Sequence, residues 1–87
     1  MIRIHLLELL GRKRWTTQAK LARVTGIRPT TISELSREIA TKITFDQLDL
    51  ICEALDCQPG DLITFEPNRI PRIEKNHRGE PIRPVKE

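Results

Sequence analysis

The sequence predicts a compact all-α domain of four to five short helices, and three observations carry that prediction. Apolar residues recur at helical spacing in four separate segments. Each segment is bounded by start and stop signals: Thr17 and Thr44 as N-caps, Pro29 and Pro59 as first helical residues, Gly26 as a stop. The chain has 87 residues, of which 38% are apolar. That suffices for one core and not for two, since domains run to roughly 100–150 residues with a floor near 50.

The elements follow in order. Residues 5–13 place Leu6, Leu7 and Leu10 on one side, ending in the cations Arg12, Lys13 and Arg14, which suit a helix C-terminus. The β-branched start, residues 1–4, is expected to form a brief strand against residues 62–65. Trp15 is expected to pack over the bundle edge. A second helix opens at Thr17 and Gln18, turns Leu21 and Val24 inward, keeps Ala22 small and stops at Thr25 and Gly26, with Ile27 plugging the core. A third begins at Pro29, where the missing N–H costs nothing, and runs to about Arg37 or Glu38. In it Ile32, Leu35 and Ile39 share one side, and Thr30, Ser33, Glu34 and Arg37 the other. The fourth has a capping box, Thr44 with Gln47, and a staple, Ile43 with Leu48. Its apolar stripe is Phe45, Leu48, Ile51, Cys52 and Leu55, and its wet side Asp46, Asp49, Glu53 and Asp56. Pro59 starts one more short turn.

These elements give a domain over residues 1–66. Beyond it, four prolines and alternating charges leave Ile70, Ile73, Ile82 and Val85 isolated. A disordered end is the first expectation for 67–87. The alternatives are a hairpin turning near residues 76–79, a basic arm following nucleic acid through Arg69, Arg72, Lys75 and Arg78, a dimerising strand, and a docking segment for another protein.

Composition excludes several classes. No run approaches the ~18 apolar residues of a membrane helix. The N-terminal apolar stretch is broken by His5 and Glu8 and lacks a leading basic cluster, so a cytoplasmic protein is expected. Cys52 and Cys57 are too few for a disulfide scaffold and are expected as reduced thiols pointing to different faces; with His5 and His77 distant, no metal or other cofactor is expected. Phosphate-loop, HExxH and GxSxG motifs are absent, so no enzyme is expected. Three aromatics, Trp15, Phe45 and Phe65, give no stacking platform for single strands. Charge is segregated. Residues 1–44 carry nine Lys/Arg against three Glu, residues 45–66 six acids and no base, and residues 67–87 six bases against three acids. That division suggests one polyanion-binding face and another that avoids polyanions.

The central pattern is helix, four-residue turn, helix over residues 18–37. It needs a small residue where the helices cross (Ala22), a glycine at the turn (Gly26) and apolar locks at Leu21, Ile27, Ile32 and Leu35. In this respect the chain resembles the Cro/phage-repressor (XRE-like) helix-turn-helix regulators. It is similar to a branch of small members carrying Gly26-Ile27-Arg28-Pro29-Thr30-Thr31-Ile32-Ser33 in the turn and second motif helix. That branch also carries the Cys52 to Leu62 pattern C-x-A-L-x-C-x-P-G-D-L. The match spans roughly residues 1–66. It implies a repressor-like helix-turn-helix fold that reads double-stranded DNA, commonly as a homodimer, with the helix 29–37 in the major groove. It also implies a DNA-binding set. Gln18, helped by Thr17, takes a phosphate. Arg28 takes a guanine edge or a phosphate. Pro29 and Thr30 take a thymine methyl, and Thr31, Ser33, Glu34 and Arg37 line the base edges. Lys42, with Thr41, grips the flanking phosphate. Glu34 is expected to pair with Arg37. Glu38 stands where related sequences often have glycine, so the helix is expected to run on. The rival reading is a protein-interaction module, of antitoxin or antirepressor type, that uses the tail.

Overall fold

The computed structural model describes residues 1–14 and 16–85. The expectation for Trp15 lies outside the described residues. Among those residues five helices and four short strands follow in the order β1 (Ile2–Ile4), α1 (Leu6–Arg12), α2 (Gln18–Thr25), α3 (Pro29–Ser36), α4 (Phe45–Leu55), α5 (Pro59–Leu62), β2 (Ile63–Phe65), β3 (Ile73–Lys75) and β4 (Pro81–Pro84). The fold is mostly helical rather than all-α, because two antiparallel strand pairs accompany the bundle.

The first pair ties the two ends of the bundle together. β1 and β2 align Ile2 with Phe65 and Ile4 with Ile63. His5 N donates to Leu62 O at 2.8 Å, and the Met1 ammonium donates to the Glu66 carbonyl. The His5 ring meets the Thr64 hydroxyl at 2.6 Å.

The core is made of Leu6, Leu9, Leu10, Leu21, Ala22, Ile27, Ile32, Leu35, Ile51, Leu55 and Leu62. Helix ends follow the sequence signals. Thr17 Oγ1 accepts from Lys20 N at 3.1 Å. The Thr44–Gln47 box is closed in both directions at 3.0 Å. Pro29 takes the first position of α3.

Four residues expected in the core are exposed: Leu7, Val24, Ile39 and Phe45. The short helices explain this. A helix of seven or eight residues offers one narrow stripe, and in α1 the i, i+3, i+4 set Leu6, Leu9, Leu10 fills it. In α2 Thr25 takes the place assigned to Val24. Ile39 falls beyond the end of α3. Phe45, first in α4, lies at the helix start, and side chains there lean away from the turns that pack.

The cysteines also differ from expectation. Asp56 adopts a left-handed φ of 51° and folds the chain back. Cys57 N then donates to Cys52 O at 3.0 Å, and the two free cysteines line one groove. Burial, and then the neighbouring Cys52, push the Cys57 thiol up to about 11.

The C-terminal segment is a hairpin rather than a disordered end. Asn76 Oδ1 accepts from Arg78 N at 2.9 Å and Glu80 N at 3.0 Å, and Gly79 supplies the φ of 81° that the turn needs. Arg83 bridges Glu74 at 2.8 Å across the strands. The hairpin packs extensively on no other element. The chain therefore measures 50 × 21 × 21 Å, with a radius of gyration of 16.1 Å. Compact folding of this length would give about 12 Å.

Candidate nucleic-acid interface

The α2–α3 turn fixes the interface. Gly26 takes a φ of 75°, and its N–H caps α2 on Ala22 O at 2.9 Å. Thr25, buried, uses its hydroxyl twice: it donates to Leu21 O at 2.6 Å and accepts from Ile27 N at 3.3 Å. No buried side-chain polar atom of the turn is orphaned, and Ile27 enters the core. This makes the turn rigid, so the angle between α2 and α3 is set by packing. The Thr25 role was not read from the sequence. Its signal is a β-branched hydroxyl directly before the turn glycine.

α3 is locked from beneath by Ile32 and Leu35, which are fully buried, and by Ser36, whose hydroxyl donates to Ile32 O at 2.9 Å. Its outer side carries Pro29, Thr30 and Arg37, all exposed, with Ser33 half-buried between them. Thr30, Ser33 and Arg37 stand at i, i+3 and i+7, one continuous stripe. Thr31 and Glu34 form a second row facing Ala40, Thr41 and Lys42, and together they line a cleft of about 160 Å³. The structure thus brings Glu34 and Lys42 to one cleft. Among the described residues no ion pair joins Glu34 to Arg37, in contrast to the expected pairing.

The start of α3 has no side-chain cap. Arg28, exposed, occupies the N-cap position and makes no capping bond. The first free backbone N–H groups of α3 therefore face outward, where an anion or a base edge can accept them. Gln18, half-buried, and Thr17, exposed, stand at the start of α2, where Thr17 is the cap. Since Thr17 Oγ accepts the cap bond, its own O–H remains available to donate.

Glu38 departs most from the sequence reading. α3 stops at Ser36 instead of running on, and Glu38 takes a left-handed φ of 57°. Its carboxylate repays that conformation by reaching β1: Arg3 donates from Nε at 3.0 Å and Nη2 at 3.1 Å, and Ile4 N donates at 2.8 Å. The recognition-side helix is thereby tied to the β1–β2 clasp. Hydrogen bonds from Arg3 and then from Ile4 hold the Glu38 carboxyl below the usual carboxylate range. The clasp is therefore complete above that range, and its stabilisation is lost as pH falls through the lowered value. In an NMR titration Glu38 should protonate below ordinary glutamates, and Arg3→Gln should return it toward them; an unmoved Glu38 would contradict the clasp.

The acids Asp46, Asp49, Glu53 and Asp56 are exposed along α4, and Asp46 shares a cleft of about 400 Å³ with Arg28 and Thr31 at the start of α3. Among the described residues no group of three His, Cys, Asp or Glu could hold a metal ion, and no helix is long and apolar enough to cross a membrane.

A rigid turn, a helix presenting a short polar stripe, and an uncapped α3 start beside the exposed Arg28 are the features of a helix-turn-helix DNA-binding domain. Residues 5–68 match the Cro/C1-type helix-turn-helix DNA-binding domain family, and the chain belongs to that family. It is similar to the uncharacterized HTH-type transcriptional regulator YozG of Bacillus subtilis (strain 168), with 32% identity over 59 residues, covering 68% of this chain and 70% of the relative.

Proposed function

We propose that this protein is a sequence-specific transcriptional repressor that binds double-stranded DNA as a homodimer, with α3 in the major groove. The observation that carries the proposal is the α3 stripe of Thr30, Ser33 and Arg37. These side chains are accessible, and the helix bearing them is rigidly seated on Ile32 and Leu35. A helix of eight residues reads few base pairs, so a two-fold pair of half-sites supplies the specificity that one copy lacks.

The roles divide by reach. Thr30, Thr31 and Ser33 offer hydroxyls to base edges, and Pro29 offers apolar contact to a thymine methyl. Arg37 and Arg28 are suited to guanine or phosphate, and Glu34 to cytosine N4. Gln18, Thr17 and Lys42 hold the phosphates on either side and set the register without reading sequence. Repression follows from occupancy: a dimer lying over a promoter excludes polymerase.

Gln18→Ala tests the division. It should weaken binding to cognate and scrambled duplexes by the same factor, about 3- to 10-fold for one lost phosphate bond. Anisotropy titrations of both duplexes measure this. A loss confined to the cognate duplex would place Gln18 among the base readers instead.

A further inference from the structure

Two unpartnered surfaces of this chain complement one another. The first is a groove of about 420 Å³ along α4. Its apolar lining includes Phe45, Leu48, Cys52 and Cys57, and Asp49 and Glu53 stand at its rim. Phe45 is 90% exposed, an unusual position for an aromatic residue in a domain with only three. Residues 45–66 contain no base, and among the described residues no ion pair engages Asp49 or Glu53.

The second surface is the hairpin. Ile73 is aligned with Pro84, and Ile82 is the extra residue where the register shifts between the Glu74–Arg83 and Lys75–Pro81 pairs. Ile73 and Ile82 are both about half exposed, and Arg83 bridges Glu74 across the strands. Arg72, Lys75 and Arg78 are exposed and in no ion pair among the described residues. An isolated two-stranded hairpin is marginal in water, so this one gains most from a surface that covers its exposed isoleucines. It projects from the body instead of folding onto it, at one end of a 50 Å molecule.

We propose that the hairpin of each copy docks in the α4 groove of a second copy, forming a reciprocal arm-exchanged dimer. Apolar hairpin residues meet an apolar groove, and cations of the arm meet the acids of its rim. A two-fold axis makes the contact twice and closes the assembly at two copies. The arrangement leaves α3 uncovered, since no residue lining the groove belongs to α3. The proposal rests on the homodimer of the preceding section and names its surface.

Sedimentation equilibrium of the full chain, without DNA, tests it. The unmodified chain should dimerise. Reversing the groove (Asp49→Lys with Glu53→Lys) or the arm (Arg72→Glu with Arg78→Glu) should each weaken dimerisation at least ~10-fold, and the chain carrying all four changes should recover most of it. Ile73→Ser with Ile82→Ser, which leaves charge alone, should weaken it comparably. Circular dichroism identifies any variant that does not fold, and the remaining variants then decide. A monomer at all concentrations up to about 100 μM would overturn the homodimer and the arm exchange together. A dimer indifferent to every variant would overturn the arm exchange alone. Arm changes that weaken DNA binding while leaving self-association intact would reassign the arm to the phosphate backbone and likewise overturn it. DNA affinity measured on the same variants keeps the DNA reading separate, since a monomer that still prefers one duplex retains it.

Discussion

Thr30→Ala combined with Ser33→Ala should cut the sequence preference about 30-fold while leaving general DNA affinity in place. Both hydroxyls lie on the outer stripe of α3 and neither has a hydrogen bond to the protein core, so their removal leaves the helix seated on Ile32 and Leu35. A lost hydroxyl contact to a base edge costs about 1 kcal/mol, at the low end for base readout, because each is a single bond and not a bidentate pair. Two together give about 2 kcal/mol, a ~30-fold loss on the cognate duplex. On a scrambled duplex those contacts do not exist, so affinity there should stay within about twofold. Parallel anisotropy titrations separate the two outcomes. Equal losses on both duplexes would mean that the stripe contacts phosphates and that some other surface reads the bases.

Ile32→Ala should be the most destabilising single change in the interface. Ile32 is fully buried between α2, α3 and the rest of the core, and its carbonyl also receives the Ser36 hydroxyl. Truncating a buried isoleucine costs about 2–4 kcal/mol through lost burial and the cavity left behind. A chain of this length is stable by only about 4–13 kcal/mol. The melting temperature should therefore fall by about 10–25 °C. Near the lower bound of stability the variant would be partly unfolded at 37 °C. A melting temperature within a few degrees of the unmodified chain would show that α3 is not held from beneath, and the argument for a rigid reading helix would fail.

Helix positions were legible from the sequence because their signals are local. Thr17, Thr44 with Gln47, Gly26 and Pro29 act within one turn of chain, and each does in the structure what its type and spacing imply. The β1–β2 pair was also legible, since β-branched residues stand at both ends of the bundle. Burial was less so. Helical spacing names a face, but the width of the buried stripe depends on neighbours far away in sequence, which is why Leu7, Val24, Ile39 and Phe45 were assigned to a core that does not reach them.

Two features depend on a single left-handed residue. Asp56 turns Cys57 back to Cys52, and Glu38 stops α3 and clasps β1. Residues other than glycine rarely take that conformation, so neither turn is visible in a pattern of residue types. The hairpin was among several alternatives for residues 67–87, and Asn76 with Gly79 carried its signal. The α3 stripe itself was legible, because outward polar residues at i, i+3 and i+7 need no tertiary information. What the sequence could not supply was the company of Glu34, whose cleft is shared with Lys42 and not with Arg37.

The central claim is that this chain reads duplex sequence through α3. Selection of binding sites from a randomised duplex pool, followed by anisotropy titration of the winner and a scrambled control at several salt concentrations, tests it most directly. An enriched inverted repeat with half-sites about one helical turn apart is expected. The winner should be preferred at least ~10³-fold over the control, with a steep salt slope near −0.9 per phosphate engaged. A pool that remains random through selection, with weak binding indifferent to sequence, would contradict it.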